Sequence, residues 1–222
     1  QTRRKLLLSY LRYALVVLVI FGAALVPSFG QSSDQSILDK IAQANEANRD
    51  SLYYELFRLN YAVDPVKAKH YAFRSYRLSE KFNHPYLMTK ACRGLGLVYH
   101  RLEEFDSAKR YYYKGIEIAR KNSFSELLVY TSNDFGRLYE NLDVYDSALR
   151  YYSISLEKAV SIGSLEDEAF ALNNIGLVFY YINNYQEALE NLNAAVRIKR
   201  KLGIESLHIS LMNVALIYNE QG

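Results

Sequence analysis

Apolar residues recur along this chain at helical spacing. Leu95, Val98, Tyr99 and Leu102 share one stripe, and Ala108, Tyr111, Tyr112, Gly115 and Ile116 make a second. The i, i+3, i+4 spacing is that of amphipathic helices. A short turn at Glu103-Glu104 joins the stripes, and the unit returns with Asp143-Val144 and then Asn183-Asn184 in the turn. Each unit reads as an antiparallel helical hairpin. Leu95-Gly96-Leu97-Val98-Tyr99 is echoed 40 residues on as Phe135-Gly136-Arg137-Leu138-Tyr139, and again as Ile175-Gly176-Leu177-Val178-Phe179. Ala108, Ala148 and Ala188 keep step, each three residues after an aromatic, Phe105, Tyr145 or Tyr185. A fixed period of roughly 20–50 residues marks a stacked-repeat array.

Gly96, Gly136 and Gly176 fall mid-helix, where glycine costs about 1 kcal/mol relative to alanine. Close approach of the two helices of a hairpin, at Ala108, Ala148 and Ala188, is the expected reason. Tyr99, Tyr139 and Phe179 are then expected to fill the groove towards the next helix. Gly163 and Gly203 mark helix ends, where a left-handed residue is common, and Ser123 and Ser164 read as N-caps. Asn83-His84-Pro85 breaks the chain at the equivalent earlier point.

The clearest copies span 88–122, 128–162 and 168–202. A weaker copy runs from Leu52 to Phe82, with Asp64-Pro65 opening its second helix, Ala68 in phase and Leu56 in place of the glycine. Residues 31–50 are assigned as an N-terminal cap carrying a helix over Ile37–Asn48. Residues 51–222 are assigned to an array of about four hairpins and the first helix of a fifth. In that last helix Ala215 replaces the glycine. The rhythm breaks at Gly222, in the turn of a hairpin, so further sequence is expected beyond it.

This pattern resembles the tetratricopeptide repeat, whose consensus carries the small residue, the aromatic and an A-x-x-x-F element. Ala108-x-x-x-Tyr112 and Ala148-x-x-x-Tyr152 match that element, whereas Ala188-x-x-x-Leu192 lacks the aromatic. The 40-residue period exceeds the family's usual ~34 and is similar to the longer-helix variants of kinesin-light-chain-like arrays. The resemblance implies an all-α fold, a right-handed superhelical solenoid of antiparallel hairpins. It also implies that the first helix of each hairpin lines a concave groove that takes a protein or peptide. The residues expected there are Lys90, Arg93, Leu97 and His100; Asn133, Arg137 and Glu140; Asn173, Asn174, Leu177 and Tyr180; and Asn213. Asparagine carries both donor and acceptor and can read a peptide backbone. Tyr180 offers apolar contact, and Arg93 with Arg137 can hold an acidic group. The family's Lys/Asn clamp for C-terminal carboxylates is not reproduced, because Leu97 stands where it needs Asn.

Charge adjusts this picture at one end. The 222 residues carry a formal +3, but Arg3, Arg4, Lys5 and Arg12 precede any acid. The 27 Lys and Arg less these four leave 23 against 24 Asp and Glu. No basic face remains to make an electrostatic footprint for nucleic acid. The basic residues are followed by the apolar run Ala14–Val26 and then Pro27-Ser28-Phe29-Gly30, the layout of an export signal. Its 13 uninterrupted residues reach about 20 Å as a helix, short of the ~30 Å hydrocarbon core. Cleavage near Gly30 is the first reading and a retained signal anchor the second. Membrane contact is expected only through this segment or through a span beyond Gly222.

Candidate chemistry is sparse. Cys92 is the single cysteine, on an inward face, which excludes an intrachain disulfide. His70, His84, His100 and His208 show no ligand spacing, and there is no nucleophile elbow or phosphate loop. Arg93-Gly94-Leu95-Gly96 contains G-x-G, but it lies within the repeat. No catalytic residue, metal or cofactor is expected. The functional expectation is an exported, periplasmic or cell-envelope module that binds protein or peptide. The export signal and the array also resemble the sensing part of Bacteroidetes-type signalling proteins, which implies a signalling output elsewhere in a longer chain. A structural scaffold of an envelope assembly is the alternative.

Overall fold

The computed structural model describes residues 34–221; the export-signal reading of residues 1–30 concerns residues outside these. Residues 34–43 form helix α1, and a 3-10 turn at Glu46–Asn48 leads into α2, Arg49–Asn60. Then come α3 (Pro65–Lys81), α4 (Pro85–Arg101), α5 (Phe105–Lys121), α6 (Ser125–Asn141), α7 (Tyr145–Ser161), α8 (Leu165–Tyr181), α9 (Tyr185–Leu202) and α10 (Leu207–Gln221). Every regular element among the described residues is helical. No helix among them is long and apolar enough to cross a membrane. The stretch 37–48, expected as one helix, is broken at residues 44–45. There the Arg49 side chain donates to the Ala44 carbonyl at 3.0 Å and closes α1. Asp34 fixes α1 to the first hairpin through Asn60 Nδ2 at 2.9 Å and the Lys67 ammonium.

The regularity is finer than 40 residues. Helices α3 to α8 each have 17 residues. Asn83, Glu103, Ser123, Asp143, Gly163, Asn183 and Gly203 all take positive φ, between 53° and 71°, at 20-residue intervals. The N–H of the following residue then reaches back to the carbonyl five positions earlier: Glu104 to Tyr99 at 2.9 Å, Val144 to Tyr139 at 2.9 Å and Asn184 to Phe179 at 2.8 Å. These bonds satisfy carbonyls that a helix end leaves unpaired. Ser123 is thus the left-handed residue that ends α5, not the N-cap of α6. Ser164 does precede α8, but its hydroxyl donates to Asp167 Oδ2 at 2.6 Å and caps no backbone N–H. At α3, Asp64 accepts from Lys67 N–H at 2.9 Å, with Pro65 at the first helical position.

The glycines make room for side chains of the partner helix. A Cβ on Gly96 would lie 2.5 Å from the Tyr112 ring, and one on Gly136 would lie 2.6 Å from Tyr152. At Gly176 it would lie 2.7 Å from Leu192 and 3.1 Å from the Ala188 carbonyl, so of these three glycines Gly176 is the one where backbone approach contributes. Tyr112, Tyr152 and Leu192 are fully buried, each worth about 1.5–3 kcal/mol as a large apolar side chain withdrawn from water. The first hairpin divides the same space the other way. Leu56 and Ala72, 40 residues before Gly96 and Tyr112, are both fully buried, so the bulk sits on the first helix and the small residue on the second. Tyr99 and Tyr139 each stack on the following helix of their own hairpin and border the core clusters that run on into the next hairpin. Tyr99 lies on Tyr111 at 5.5 Å and Tyr139 on Tyr151 at 5.6 Å, with interplanar angles of 5° and 2°.

Candidate functional site

Helix order decides which face is concave. Each of α2, α4, α6 and α8 packs against the second helix of its own hairpin and also against the next first helix in the series, ending at α10. Among the described residues, α3, α5, α7 and α9 make no such contact with one another. The first helices therefore crowd along the inside of the curve and the second helices splay on the outside. Lys90, Arg93, Leu97 and His100 lie on α4; Asn133, Arg137 and Glu140 on α6; Asn173, Asn174, Leu177 and Tyr180 on α8; and Asn213 on α10.

Many of these side chains reach across to the neighbouring first helix. Asn174 Nδ2 donates to Asn133 Oδ1 at 2.9 Å. One donor-bearing and one acceptor-bearing amide group are then left over from the pair, whichever way the two amides are turned. Asn213 Nδ2 lies 3.4 Å from Asn173 Oδ1, which also accepts from the Ser210 hydroxyl at 2.7 Å. Asn173 is itself buried, so it serves the joint between α8 and α10. Lys90 packs over the Tyr54 and Tyr86 rings at 4.6 and 5.7 Å; burial, with Arg58 nearby, lowers its pKa. Tyr180 stands among Tyr181 and Tyr185, with ring centroids 5.7 and 6.1 Å away.

The acidic group expected between Arg93 and Arg137 belongs to this chain. Arg93 Nε donates to Asp134 Oδ2 at 2.6 Å, and an Arg137 terminal nitrogen donates to Asp134 Oδ1 at 3.0 Å. Burial opposes the Arg93 charge, but the Asp134 carboxylate and its hydrogen bond outweigh it and hold the guanidinium above its ordinary pKa. Arg93 also lies over the Tyr130 ring at 5.3 Å. The Asp134 side chain is 6% exposed and that of Arg137 is 49% exposed. Arg93 is therefore a structural strut, whereas Arg137 keeps free donors turned to solvent.

Arg137 shares a cavity of about 600 Å³ with Tyr61, Leu97, His100, Arg101 and Asn141. Glu103 and Phe105 complete the wall. Arg101 donates to the Ala62 carbonyl at 3.0 Å and lies over the Tyr61 ring at 5.5 Å. His100 Nε2 is 2.9 Å from Asn141 Nδ2. Burial, aided by Arg137, lowers the His100 pKa and keeps the imidazole neutral at pH 7. Farther along, Glu140 accepts a short hydrogen bond from the Tyr152 hydroxyl. Burial nevertheless raises the Glu140 carboxyl above its ordinary value. Cys92 is buried on the packing side of α4, where burial pushes the thiol up to about 12. Among the described residues no group of three or more His, Cys, Asp or Glu is placed to hold a metal ion.

Sequence reasoning named His100 and Arg137 but missed Asp134, Tyr61, Arg101 and Asn141. Tyr61, Arg101 and Asn141 are 40 residues apart, so extending the register to the helix ends would have found them. Asp134 carried a different signal, an acid inside an otherwise apolar stripe that needs a cation beside it.

Tetratricopeptide-repeat family models match residues 90–122 and 126–201. No curated protein matches the chain. Solved structures share the fold. BtubC (BKLC) from P. vanneervenii superposes with a TM-score of 0.74 at 18% identity, covering 86% of this chain and 81% of that one. The Rap conjugation gene regulator of plasmid pLS20, solved in complex with the Phr* peptide, gives 0.65 at 16% identity over 82% of this chain and 50% of that one. A STAND signal-transduction ATPase with a tetratricopeptide repeat sensor, from Pyrococcus horikoshii, gives 0.59 at 21% identity over 77% of this chain and 28% of that one. The chain thus spans half or less of the latter two.

Proposed function

The chain is a tetratricopeptide-repeat protein, and on that premise we propose that its concave face binds an extended segment of a protein or peptide. The observation that carries the reading is the Asn133–Asn174 bridge on two adjacent first helices. It leaves a donor and an acceptor side by side, the complement of one peptide unit. The Rap regulator with its bound Phr* peptide supports the same use of the fold. The basic and apolar pattern of residues 1–30 supports export to the periplasm or cell envelope. Within that setting the array is the sensing part of a signalling system, a role in keeping with the repeat sensor of the Pyrococcus horikoshii ATPase.

The test uses the chain on an array of N-acetylated, C-amidated dodecapeptides of varied composition. Asn133→Ala with Asn174→Ala removes both partners at once and leaves no orphaned amide. Retained melting with capture weakened about tenfold, the loss of roughly one good hydrogen-bonding pair, is the expected result. Capture undiminished by the double variant, or no peptide retained by the parent chain, overturns the reading.

A further inference from the structure

Two guanidinium groups face one cavity with donors to spare. Arg137 gives Asp134 a single N–H and leaves about half its side chain exposed. Arg101 gives one N–H to Ala62 O. A guanidinium has five N–H donors, so most remain on both. Leu97, Phe105 and the Tyr61 ring supply apolar wall beside them. His100 is neutral and bonded to Asn141, so it adds no third cation. Glu103 lines the cavity and Asp134 lies buried at the Arg93–Arg137 junction. With two acids so close, the surplus positive charge suits a monoanion better than a dianion. Arginine pairs with a planar carboxylate through parallel N–H···O bonds.

The register supplies a second contact. Forty residues beyond Arg137 and Glu140 stand Leu177 and Tyr180, on α8 and next to the Tyr181 and Tyr185 rings. Packed helices lie ~8–10 Å apart and an extended chain rises ~3.3 Å per residue, so one step between first helices corresponds to about three residues. We infer that the cavity at the C-terminal ends of α2, α4 and α6 seats the carboxylate side chain of an extended peptide, while an apolar side chain three residues away lies on Leu177 and Tyr180. This rests on the concave-face reading and gives its ligand a chemistry: an acidic residue and an apolar residue three apart, within the chain of the partner.

The probes are capped dodecapeptides with a central Glu and a Leu three residues away, their Glu→Gln counterparts, and uncapped peptides whose only carboxylate is the C-terminus. Binding is read by fluorescence anisotropy. The Glu peptides bind about tenfold tighter than the Gln peptides, as expected for one charge-assisted bidentate pair. Both Arg137→Gln and Arg101→Gln erase that preference while the Gln peptides bind as before. Arg101→Gln, which leaves the Asp134 pairing intact, keeps the test valid if Arg137→Gln lowers the melting temperature. Equal binding of Glu and Gln peptides, a preference that survives both variants, or a preference confined to the free C-terminus overturns the inference. Each of those outcomes still requires peptides to bind, so it leaves the concave-face reading standing; absence of binding by every probe defeats both.

Discussion

Hairpins α4–α5 and α6–α7 share one frame and differ where they meet the groove. In both, a buried tyrosine ring fills the notch of a glycine, Tyr112 at Gly96 and Tyr152 at Gly136. One helical turn beyond the glycine the copies diverge. Glu140 accepts from the Tyr152 hydroxyl, whereas His100 turns to Asn141 and the buried Tyr112 hydroxyl has no hydrogen-bond partner among the described residues. Ring burial sets the hairpin; the polar residue one turn on varies without disturbing it. Groove chemistry can therefore change from copy to copy on a constant scaffold.

The largest expected effect comes from breaking the frame. Tyr152→Ala empties a fully buried site and costs about 3–5 kcal/mol. Gly136→Leu alone drives a side chain into the Tyr152 ring and costs about 1–3 kcal/mol. The double variant recreates the Leu56/Ala72 arrangement of the first hairpin. Denaturant unfolding is expected to show it more stable than the sum of the two losses by about 1–3 kcal/mol. Additive losses would contradict the interchange of volume between the two helices.

Smaller effects separate the two tyrosines. Tyr152→Phe removes a hydrogen bond to a carboxylate and costs about 1–2 kcal/mol, while Tyr112→Phe removes an unpaired hydroxyl and leaves stability unchanged or raised. Acidity distinguishes them too. Because burial raises the Glu140 carboxyl, the unfolded chain releases this proton first as pH climbs. The group's contribution therefore falls as pH rises from its ordinary 4.5 through its folded value, and stays low above it. Glu140→Gln flattens that fall in a series of melts across pH. Equal responses of Tyr112→Phe and Tyr152→Phe would remove the contrast.

Much of the frame was legible in the sequence because it is written in large and small residues at fixed spacing. Gly96 with Tyr112 and Gly136 with Tyr152 announce a hairpin through volume alone. The 20-residue turn period was half hidden, since only Gly163 and Gly203 carry the residue that left-handed backbone favours. Asn83, Asp143 and Asn183 carry residues that tolerate that backbone more weakly, and Glu103 and Ser123 adopt the same φ without any such mark. The groove was harder to read. Spacing puts Arg93 and Arg137 on one face but does not say that Asp134 already stands between them. The cavity draws Tyr61, Arg101 and Asn141 from the ends of three helices, where side-chain direction depends on how the hairpins stack.

The central claim is that recognition belongs to the inner first-helix face. The most direct test gives the tightest array peptide a central photoreactive residue and maps its cross-links on the chain. Cross-links on α4, α6 and α8, around residues 97–100, 137–141 and 174–180, are the predicted result. Cross-links concentrated on the outer helices, around Arg110 and Tyr113 of α5 or Arg150 of α7, would contradict it.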